Sequence, residues 1–359
     1  MEEDMKIKLA ILDKDMRYLK RIAAVFSTKY TENVEVYSFT DLEMALSVLN
    51  SAKIDILLAN EEFDVDFSDL PQRCGFAYLV DAPNVSTLNE QAAVCKFQKP
   101  ELIYKQILGI YAEKAAGMSG HVFKEGAAKV FSFSSPAGGV GASTLAAACA
   151  VYFASQGQRC LYLNLEPFGL ADLFFSGEGQ YNLSDVIFAL KSRKSNFPIK
   201  LESCVKRSPQ GVYFYAHPKV ALDILELTEE ETIQLIETLR LTGGYDYIIL
   251  DAGFDMSERN RNIHRQAQAM VWVSDGSEPA NSKICRAYES LGICEANKDA
   301  PLTERLCLIY NRYNGSTCQM IEGIQVKTIG GAQRFENRTV EQIVSELSRL
   351  AIYGSLDQK

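Results

Sequence analysis

A glycine-rich segment at residues 136–144 carries the residue types best suited to chemistry in this chain. It places Gly138, Gly139 and Gly141 within four positions and follows them with Ser143. Glycines let successive backbone N–H groups turn toward one anion, and a Ser or Thr hydroxyl in such a loop meets Mg²⁺. The pattern therefore predicts a site for the phosphates of a nucleotide.

The flanking residues predict the elements that position this loop. Residues 130–133 read as a β-strand, and residues 145–154 form an alanine-rich apolar helix whose positive N-terminal end points at the same anion. Pro136 and Ala142 depart from the general pattern G-x-x-x-x-G-K-[ST], because they replace its first glycine and its lysine. Taken alone, the segment also fits a glycine-rich turn that binds no ligand.

A second motif strengthens the phosphate reading. Residues 245–251 form an apolar strand that ends in Asp251, about 110 residues after Ser143. A carboxylate at the end of a strand beside the phosphate-loop strand holds the shell of a bound Mg²⁺. The two motifs together predict a nucleotide site with Ser143 and Asp251 at the metal.

These motifs resemble those of the MinD/ParA ATPases, whose deviant phosphate loop reads K-G-G-x-G-K-[ST]-[ST]. Within that superfamily the chain is similar to the pilus-assembly branch, the CpaE and TadZ proteins, in which one or both lysines are often missing. The resemblance implies ATP and Mg²⁺ as cofactors. It implies that the nucleotide contacts Ala137, Gly138, Gly139, Val140, Gly141, Ala142, Ser143 and Thr144.

The same resemblance assigns further site residues by position. The strand at 159–166 ends in Asn164-x-Glu166 where the family has D-x-D, so Glu166 would orient the attacking water; a plain loop acid is the alternative. Asn311, followed by Arg312, ends another strand and would reach the adenine edge, or is simply a strand-end asparagine. Residues 329–331 would form a loop on the other side of the base.

Two missing lysines shape the functional expectation. In the family, two domains close over two nucleotides, and the first lysine reaches the partner's phosphates; here Ala137 and Ala142 take both positions. The resemblance therefore implies an ATP-bridged homodimer with weak or no hydrolysis, acting as a localisation and scaffold factor in Tad/Flp (type IVb) pilus assembly. The alternative is an active MinD/ParA-type positioning ATPase that cycles on membrane or DNA.

The first 112 residues predict five βα units, hence a doubly wound parallel sheet, with Thr40 capping the second helix and the fifth strand at 94–97. They resemble the receiver domain of response regulators, with the acids Asp13 and Asp15 and the pair Lys99-Pro100. Asn60 replaces the phospho-acceptor aspartate, so phosphorelay is disfavoured. The charged residues fit either a self-satisfied polar cluster or a Mg²⁺ site.

Composition limits the remaining choices. The fold class is α/β with two such domains, at 1–112 and 129–359, joined by a linker at 113–128. A net charge of −9 and a pI near 5.1 disfavour nucleic acid as a partner. Nine cysteines without a C-x-x-C motif and the lack of a spanning apolar run predict a cytoplasmic protein. The resemblance implies partners in the pilus and secretion machinery, peripheral contact with the inner membrane, and a place at the cell pole.

Overall fold

The structure is a computed structural model and describes residues 6–83, 85–114, 127–193 and 196–357. Its strands are β1 Ile7–Leu12, β2 Val34–Phe39, β3 Ile56–Asn60, β4 Gly75–Val80, β5 Thr87–Leu88, β6 Gln91–Cys95, β7 Lys129–Ser134, β8 Cys160–Asn164, β9 Lys206–Arg207, β10 Tyr213–Phe214, β11 Tyr247–Asp251, β12 Ala269–Ser274, β13 Leu306–Tyr313 and β14 Lys327–Gln333. Its helices are α1 Met16–Lys29, α2 Leu42–Ser51, α3 Pro100–Lys114, α4 Ala142–Ser155, α5 Leu183–Lys191, α6 Phe197–Cys204, α7 Leu222–Leu225, α8 Glu229–Thr242, α9 Glu258–Arg265, α10 Glu278–Glu295, α11 Leu302–Arg305 and α12 Val340–Leu347.

The chain divides into two compact units, Met1–His121 with Arg193–Cys204 and Val122–Ser192 with Val205–Lys359. The sequence predicts a second domain over all of 129–359, whereas α6 groups with the first unit. The reason is that its Ile199 is buried in that unit's core, and its Lys200 pairs with Glu113 of α3 at 3.6 Å. The predicted linker at 113–128 lies largely outside the described residues, and its first two residues still belong to α3.

The first unit is built on a sheet of order β2-β1-β3-β4-β6-β5, parallel except for the short edge strand β5. Alternate residues of a strand point to opposite faces. Ile7, Leu9 and Ile11 of β1 accordingly pack into one hydrophobic cluster, and Ala10 and Leu12 into another. Both faces are covered, as the predicted doubly wound α/β fold requires.

The prediction of five βα units is wrong at two connections. Between β3 and β4 the described residues form only a 3₁₀ turn at Phe67–Asp69, and Pro71 prevents its extension into a helix. Between β4 and β6 the chain makes the short strand β5 and a hairpin. Its two-residue turn, Asn89 and Glu90, has φ angles of 48° and 64°, which match the twist of antiparallel strands.

Two smaller expectations in this unit are also wrong. The N-cap of α2 is Asp41 and not Thr40, because the Asp41 carboxylate accepts the Met44 N–H at 2.9 Å. The last parallel strand is predicted to continue to Phe97, whereas β6 ends at Cys95. The earlier end of β6 decides which lysine lies at the carboxyl end of the strand.

The second unit has a sheet of order β14-β13-β12-β7-β11-β8-β10-β9, parallel except between β9 and β10. From β7 the chain continues to β8 on one side, and from β11 it crosses over β7 to β12 on the other. The carboxyl end of β7 is therefore a point where the strand order reverses, which is where open α/β sheets bind ligands. The loop that follows β7 is the predicted phosphate loop.

Helix α4, after that loop, is packed tightly into the core of the second unit. Its residues from Leu145 to Val151 are all buried, and the small alanine side chains allow the helix to lie close to the sheet. The prediction of a loop at 329–331 is wrong, because these residues lie inside β14, the edge strand of the same sheet. Gly330 and Gly331 pair with Ile309 and Tyr310 of β13, and the register shifts at Ile329.

Candidate functional site

The loop between β7 and α4 is shaped by three glycines in the left-handed region of backbone space. Gly138, Gly139 and Gly141 have φ angles of 62°, 69° and 90°, which residues with a Cβ rarely adopt. Ser135 fixes the start of the loop, since its hydroxyl donates to a β12 carbonyl (2.7 Å) and accepts the Ala137 N–H (3.1 Å). Gly141 is the N-cap of α4 and has no side chain to satisfy the first N–H groups of the helix.

Two neighbouring residues of β13 tie this loop down. The Asn311 amide Nδ2 donates to the Val140 carbonyl (2.8 Å), and the Arg312 Nη1 donates to the Gly139 carbonyl (3.0 Å). Asn311 is buried, and a Cβ at Gly141 would lie only 2.3 Å from its Nδ2. The sequence predicts that Asn311 contacts adenine; the structure adds a bond that commits its amide nitrogen to the loop.

A buried carboxylate, Asp251, ends β11 next to the phosphate-loop strand. Its Oδ2 accepts hydrogen bonds from the Tyr162 hydroxyl (2.6 Å) and the Asn164 amide (2.9 Å). Burial raises the pKa of Asp251 to about 7, the Tyr162 bond opposes that rise, and the negative charge of Glu166 adds to it. A cation bound here would stabilise the ionised carboxylate.

Ser143 and Glu166 lie beside Asp251. The Ser143 hydroxyl is 3.5 Å from the Glu166 Oε2, and the Asn164 Oδ1 accepts the Glu166 N–H (3.1 Å). Asn164, which stands where the resembling family has an acid, therefore bonds the Asp251 carboxylate through its amide nitrogen and the backbone of Glu166 through its amide oxygen. The structure brings together Ser143, Glu166 and Asp251, which come from three separate segments of the sequence.

These groups line two adjoining cavities. The smaller, of about 310 Å³, is bounded by residues 138–144, Glu166 and Asp251. The larger, of about 620 Å³, shares Thr144 and Arg312 with it. The smaller cavity offers loop backbone and two carboxylates and the larger one adjoins it, so a polyphosphate and a nucleoside would fit them respectively.

Sequence reasoning missed most of the larger cavity. The missed lining residues follow or end the strands β12, β13 and β14, and they are Asp275, Ser277, Asn314, Thr317, Cys318, Gln333, Arg334 and Phe335. It also missed Tyr162, which lies two residues before Asn164 and so on the same face of β8. Position just beyond a parallel strand, and the i, i+2 spacing, are the signals that could have found them.

The residues of the second unit fit Mg²⁺ and a nucleotide. Carboxylate and hydroxyl oxygens such as those of Asp251 and Ser143 are ligands that Mg²⁺ prefers. Within the described ranges, no group of three His, Cys, Asp or Glu side chains is placed to hold a metal. Mg²⁺ at this site would therefore depend on oxygens of phosphate and water for the rest of its shell.

The strand ends of the first unit carry a different polar cluster. The Lys96 ammonium pairs with Asp13 (3.2 Å) and Asp81 (2.9 Å), and the Asn60 amide donates to the same Asp13 oxygen (3.1 Å). Burial lowers the pKa of Lys96, but the bonds to both acids outweigh it and leave the pKa above its ordinary value. Lys96 thus neutralises Asp13 from within the unit.

This cluster corrects the sequence prediction in two respects. Lys96, and not Lys99, is the lysine bonded to Asp13, because β6 ends at Cys95 and places Lys96 directly at the strand end. Asp15 caps α1, where its carboxylate accepts two backbone N–H groups of the first turn. Both expected acids are therefore engaged in bonds within the chain.

We expect acetyl phosphate and beryllofluoride to leave the NMR spectrum of the full-length protein unaltered. The reason is that Asn60 offers an amide in place of the carboxylate that accepts a phosphoryl group, while Lys96 already neutralises Asp13. Asn60→Asp should be required for any response. Clear shift changes in the unmodified protein would refute the view that this domain does not take phosphate.

The first unit matches a known domain family. The model of the TadZ-like receiver domain matches residues 5–112. This match confirms the resemblance to a receiver domain that was drawn from Asp13, Asp15 and the pair Lys99-Pro100. No curated protein matches the chain.

Solved structures share the fold of the second unit. The ParA family ATPase from Chlorobium tepidum TLS has a TM-score of 0.50 at 20% identity, over 65% of this chain and 97% of that one. The MinC:MinD cell division complex from Aquifex aeolicus gives 0.47 at 18%, covering 62% and 95%. The septum site-determining protein MinD with Mg-ADP from Pyrococcus horikoshii OT3 gives 0.46 at 16%, covering 62% and 94%. At a TM-score of 0.50, the ParA family ATPase shows the fold that the chain shares with it beyond the TadZ-like domain.

Among the described residues, no helix combines the length and the apolar character that a membrane crossing requires.

Proposed function

We propose that the protein binds ATP with Mg²⁺ at residues 137–144 and hydrolyses it weakly or not at all. The observation that carries the proposal is a phosphate-binding backbone without its lysines. Gly138, Gly139 and Gly141 hold the left-handed turns that such a loop needs. Ala137 and Ala142 stand at the two positions where the resembling ATPases carry positive charge.

The chain's own residues would divide the binding. Backbone N–H groups of 138–144 take phosphate oxygens, Ser143 and Asp251 take Mg²⁺, and the larger cavity takes the nucleoside. Bound Mg²⁺ supplies neutralisation of the phosphate charge. Glu166, 3.5 Å from the Ser143 hydroxyl, is the residue placed to orient a water.

The absent lysines separate binding from hydrolysis. Loss of one preorganised charge stabiliser costs about 10²–10³ in the rate of a chemical step. Binding depends less on these charges, because backbone donors and the helix N-terminus also hold phosphate. A protein with this loop is suited to remain in its nucleotide-bound state.

The biological role follows from the domain combination. A TadZ-like domain, matched at 5–112, stands before a unit that shares the fold of a ParA family ATPase, which is the order implied by the resemblance to the CpaE and TadZ proteins. We infer a cytoplasmic, ATP-bridged homodimer that positions or scaffolds the Tad/Flp (type IVb) pilus machinery at the membrane, including at the cell pole. Asn60 leaves its receiver-like domain without the carboxylate that accepts a phosphoryl group, and Lys96 occupies Asp13, so phosphorylation would not control this domain.

Calorimetry and sedimentation test this proposal on the full-length chain. ATP with Mg²⁺ should bind with a micromolar dissociation constant, about −8 kcal/mol. ATP should shift the protein from monomer to dimer, and the dimer should persist for hours because hydrolysis does not dissolve it. Asp251→Asn should reduce the part of the affinity that depends on Mg²⁺ and leave binding in EDTA unchanged.

Two outcomes would contradict it. Absence of ATP binding would remove the site assignment. Rapid phosphate release, with a dimer that decays as ATP is consumed, would instead favour an active positioning ATPase.

A further inference from the structure

Arg312 breaks the normal alternation of β13. Neighbouring side chains of a strand point to opposite faces, yet Asn311 and Arg312 both bond to the phosphate loop. Arg312 has a φ of 56°, in the left-handed region, and the pairing of β13 with β14 shifts between Tyr310 and Tyr313. Strained backbone of this kind concentrates at functional sites, and here it turns a guanidinium onto the loop.

The guanidinium lies where the loop lacks positive charge. Arg312 lines both cavities, and its Nη2 lies 3.8 Å from the position of a Cβ on Gly141. Its bond to the Gly139 carbonyl uses one of five N–H donors. The acid of the larger cavity, Asp275, accepts hydrogen bonds from the Ser277 N–H (3.0 Å) and hydroxyl (2.7 Å). Burial opposes its ionisation, but these bonds outweigh burial and hold the pKa of Asp275 below its ordinary value, and the positive charge of Arg312 adds to that effect.

We propose that Arg312 supplies the positive charge that the loop lacks at Ala137 and Ala142, by donating to phosphate oxygens of the bound nucleotide. This inference rests on the proposed function, because it names the group that would hold the polyphosphate at that site. A guanidinium donates two parallel N–H bonds to a phosphate, which an ammonium does not. The bond to the Gly139 carbonyl orients the Arg312 guanidinium before nucleotide binds. Because Arg312 lines both cavities, we assign it to the phosphates nearest the nucleoside.

An anchored arginine supports affinity more than turnover. Only contacts that strengthen in the transition state accelerate a reaction, whereas contacts made equally before and during bond cleavage tighten binding. Arg312 is fixed to the loop backbone and lies beside the nucleoside cavity, so its contact is of the second kind. A site with Arg312 and no loop lysine would therefore bind nucleotide and keep it.

The test compares Arg312→Gln, which removes the charge, with Arg312→Lys, which keeps it; both retain a side chain at the strained position. ATP titrations at low and high salt should show about 10- to 100-fold weaker binding for Arg312→Gln, as expected for lost charge-assisted hydrogen bonds. Arg312→Lys should bind ATP more weakly than the unmodified protein and more tightly than Arg312→Gln, because it keeps the charge and loses the two parallel N–H bonds. The salt dependence of binding should be shallower in Arg312→Gln, because one ionic contact is gone. Arg349→Gln removes the same charge outside both cavities and should bind as the unmodified protein does.

Three results would overturn the inference. Unchanged ATP affinity in Arg312→Gln would show that its charge is not used. Equal losses in both variants, with a lower unfolding temperature of the nucleotide-free protein, would assign Arg312 to loop structure alone. If the unmodified protein binds no ATP in the same titration, the proposed function fails together with the inference, and that result is distinct from the other two.

Discussion

Gly141→Val is expected to abolish measurable ATP binding. Gly141 has a φ of 90°, which a β-branched residue strongly disfavours. A Cβ at this position would lie 2.3 Å from the Asn311 Nδ2, so the amide must move and its bond to the Val140 carbonyl must break. The loop would then lose both its turn and its clamp. Calorimetry should show a loss of at least about 100-fold, roughly 2.7 kcal/mol, from the micromolar affinity of the unmodified protein.

Gly157→Val is the matched control. Gly157 follows α4, has a φ of 80°, and nothing lies within 4 Å of a Cβ built on it. The substitution imposes a comparable backbone strain without a clash and away from both cavities. It should lower the unfolding temperature while leaving ATP affinity intact. Normal ATP binding by Gly141→Val would show that phosphate binds elsewhere.

The parts of the site that sequence predicted are those with local signals. Three elements can be recognised from about ten consecutive residues each. They are the glycine loop, recognised by its spacing, the helix after it, recognised by its small side chains, and the strand that ends in Asp251, recognised by its apolar run. Parallel strands then bring their carboxyl ends to one edge, so Ser143 and Asp251 could be placed together before any coordinates were known.

The parts that sequence did not predict depend on contacts between distant segments. The bond from Asn311 to the Val140 carbonyl spans 171 positions, and only the register of β13 decides that the amide reaches the loop. The positive φ of Arg312 has no residue signature, because arginine is not a residue that favours it. Both contacts follow from the sheet order and not from the composition of either segment.

In the TadZ-like domain, a small error in the predicted end of a strand changes which lysine is assigned to the polar cluster. The sequence correctly predicts a strand near residue 95, but the strand ends two residues earlier than expected. That shift replaces Lys99 by Lys96 as the partner of Asp13. Strand ends are set by tertiary pairing, here with β4, which the local apolar run does not reveal.

Restoring both loop cations should convert the protein into a faster ATPase. Ala137 and Ala142 lie outside the left-handed backbone region and are only partly buried, so Ala137→Lys with Ala142→Lys needs no change of the loop backbone. The two ammonium groups would stabilise the negative charge that develops on the phosphates during hydrolysis. Arg312 does not stabilise that developing charge, because its side chain is fixed to the Gly139 carbonyl. Each such stabiliser contributes about 10²–10³ in rate, and a phosphate-release assay should show a gain of at least that order for the double variant.

The gain should depend on Glu166, and this dependence separates catalysis from tighter binding. Adding Glu166→Gln to the double variant removes the carboxylate that lies 3.5 Å from the Ser143 hydroxyl, so phosphate release should return to the original low rate while ATP affinity stays high. In sedimentation, ATP should give a transient dimer with the double variant and a persistent dimer with the triple variant. A gain that survives Glu166→Gln would remove Glu166 from its role at the water. Fast turnover by the unmodified protein would show that the charge missing from Ala137 and Ala142 is supplied from elsewhere during catalysis, and the separation of binding from hydrolysis would then be wrong.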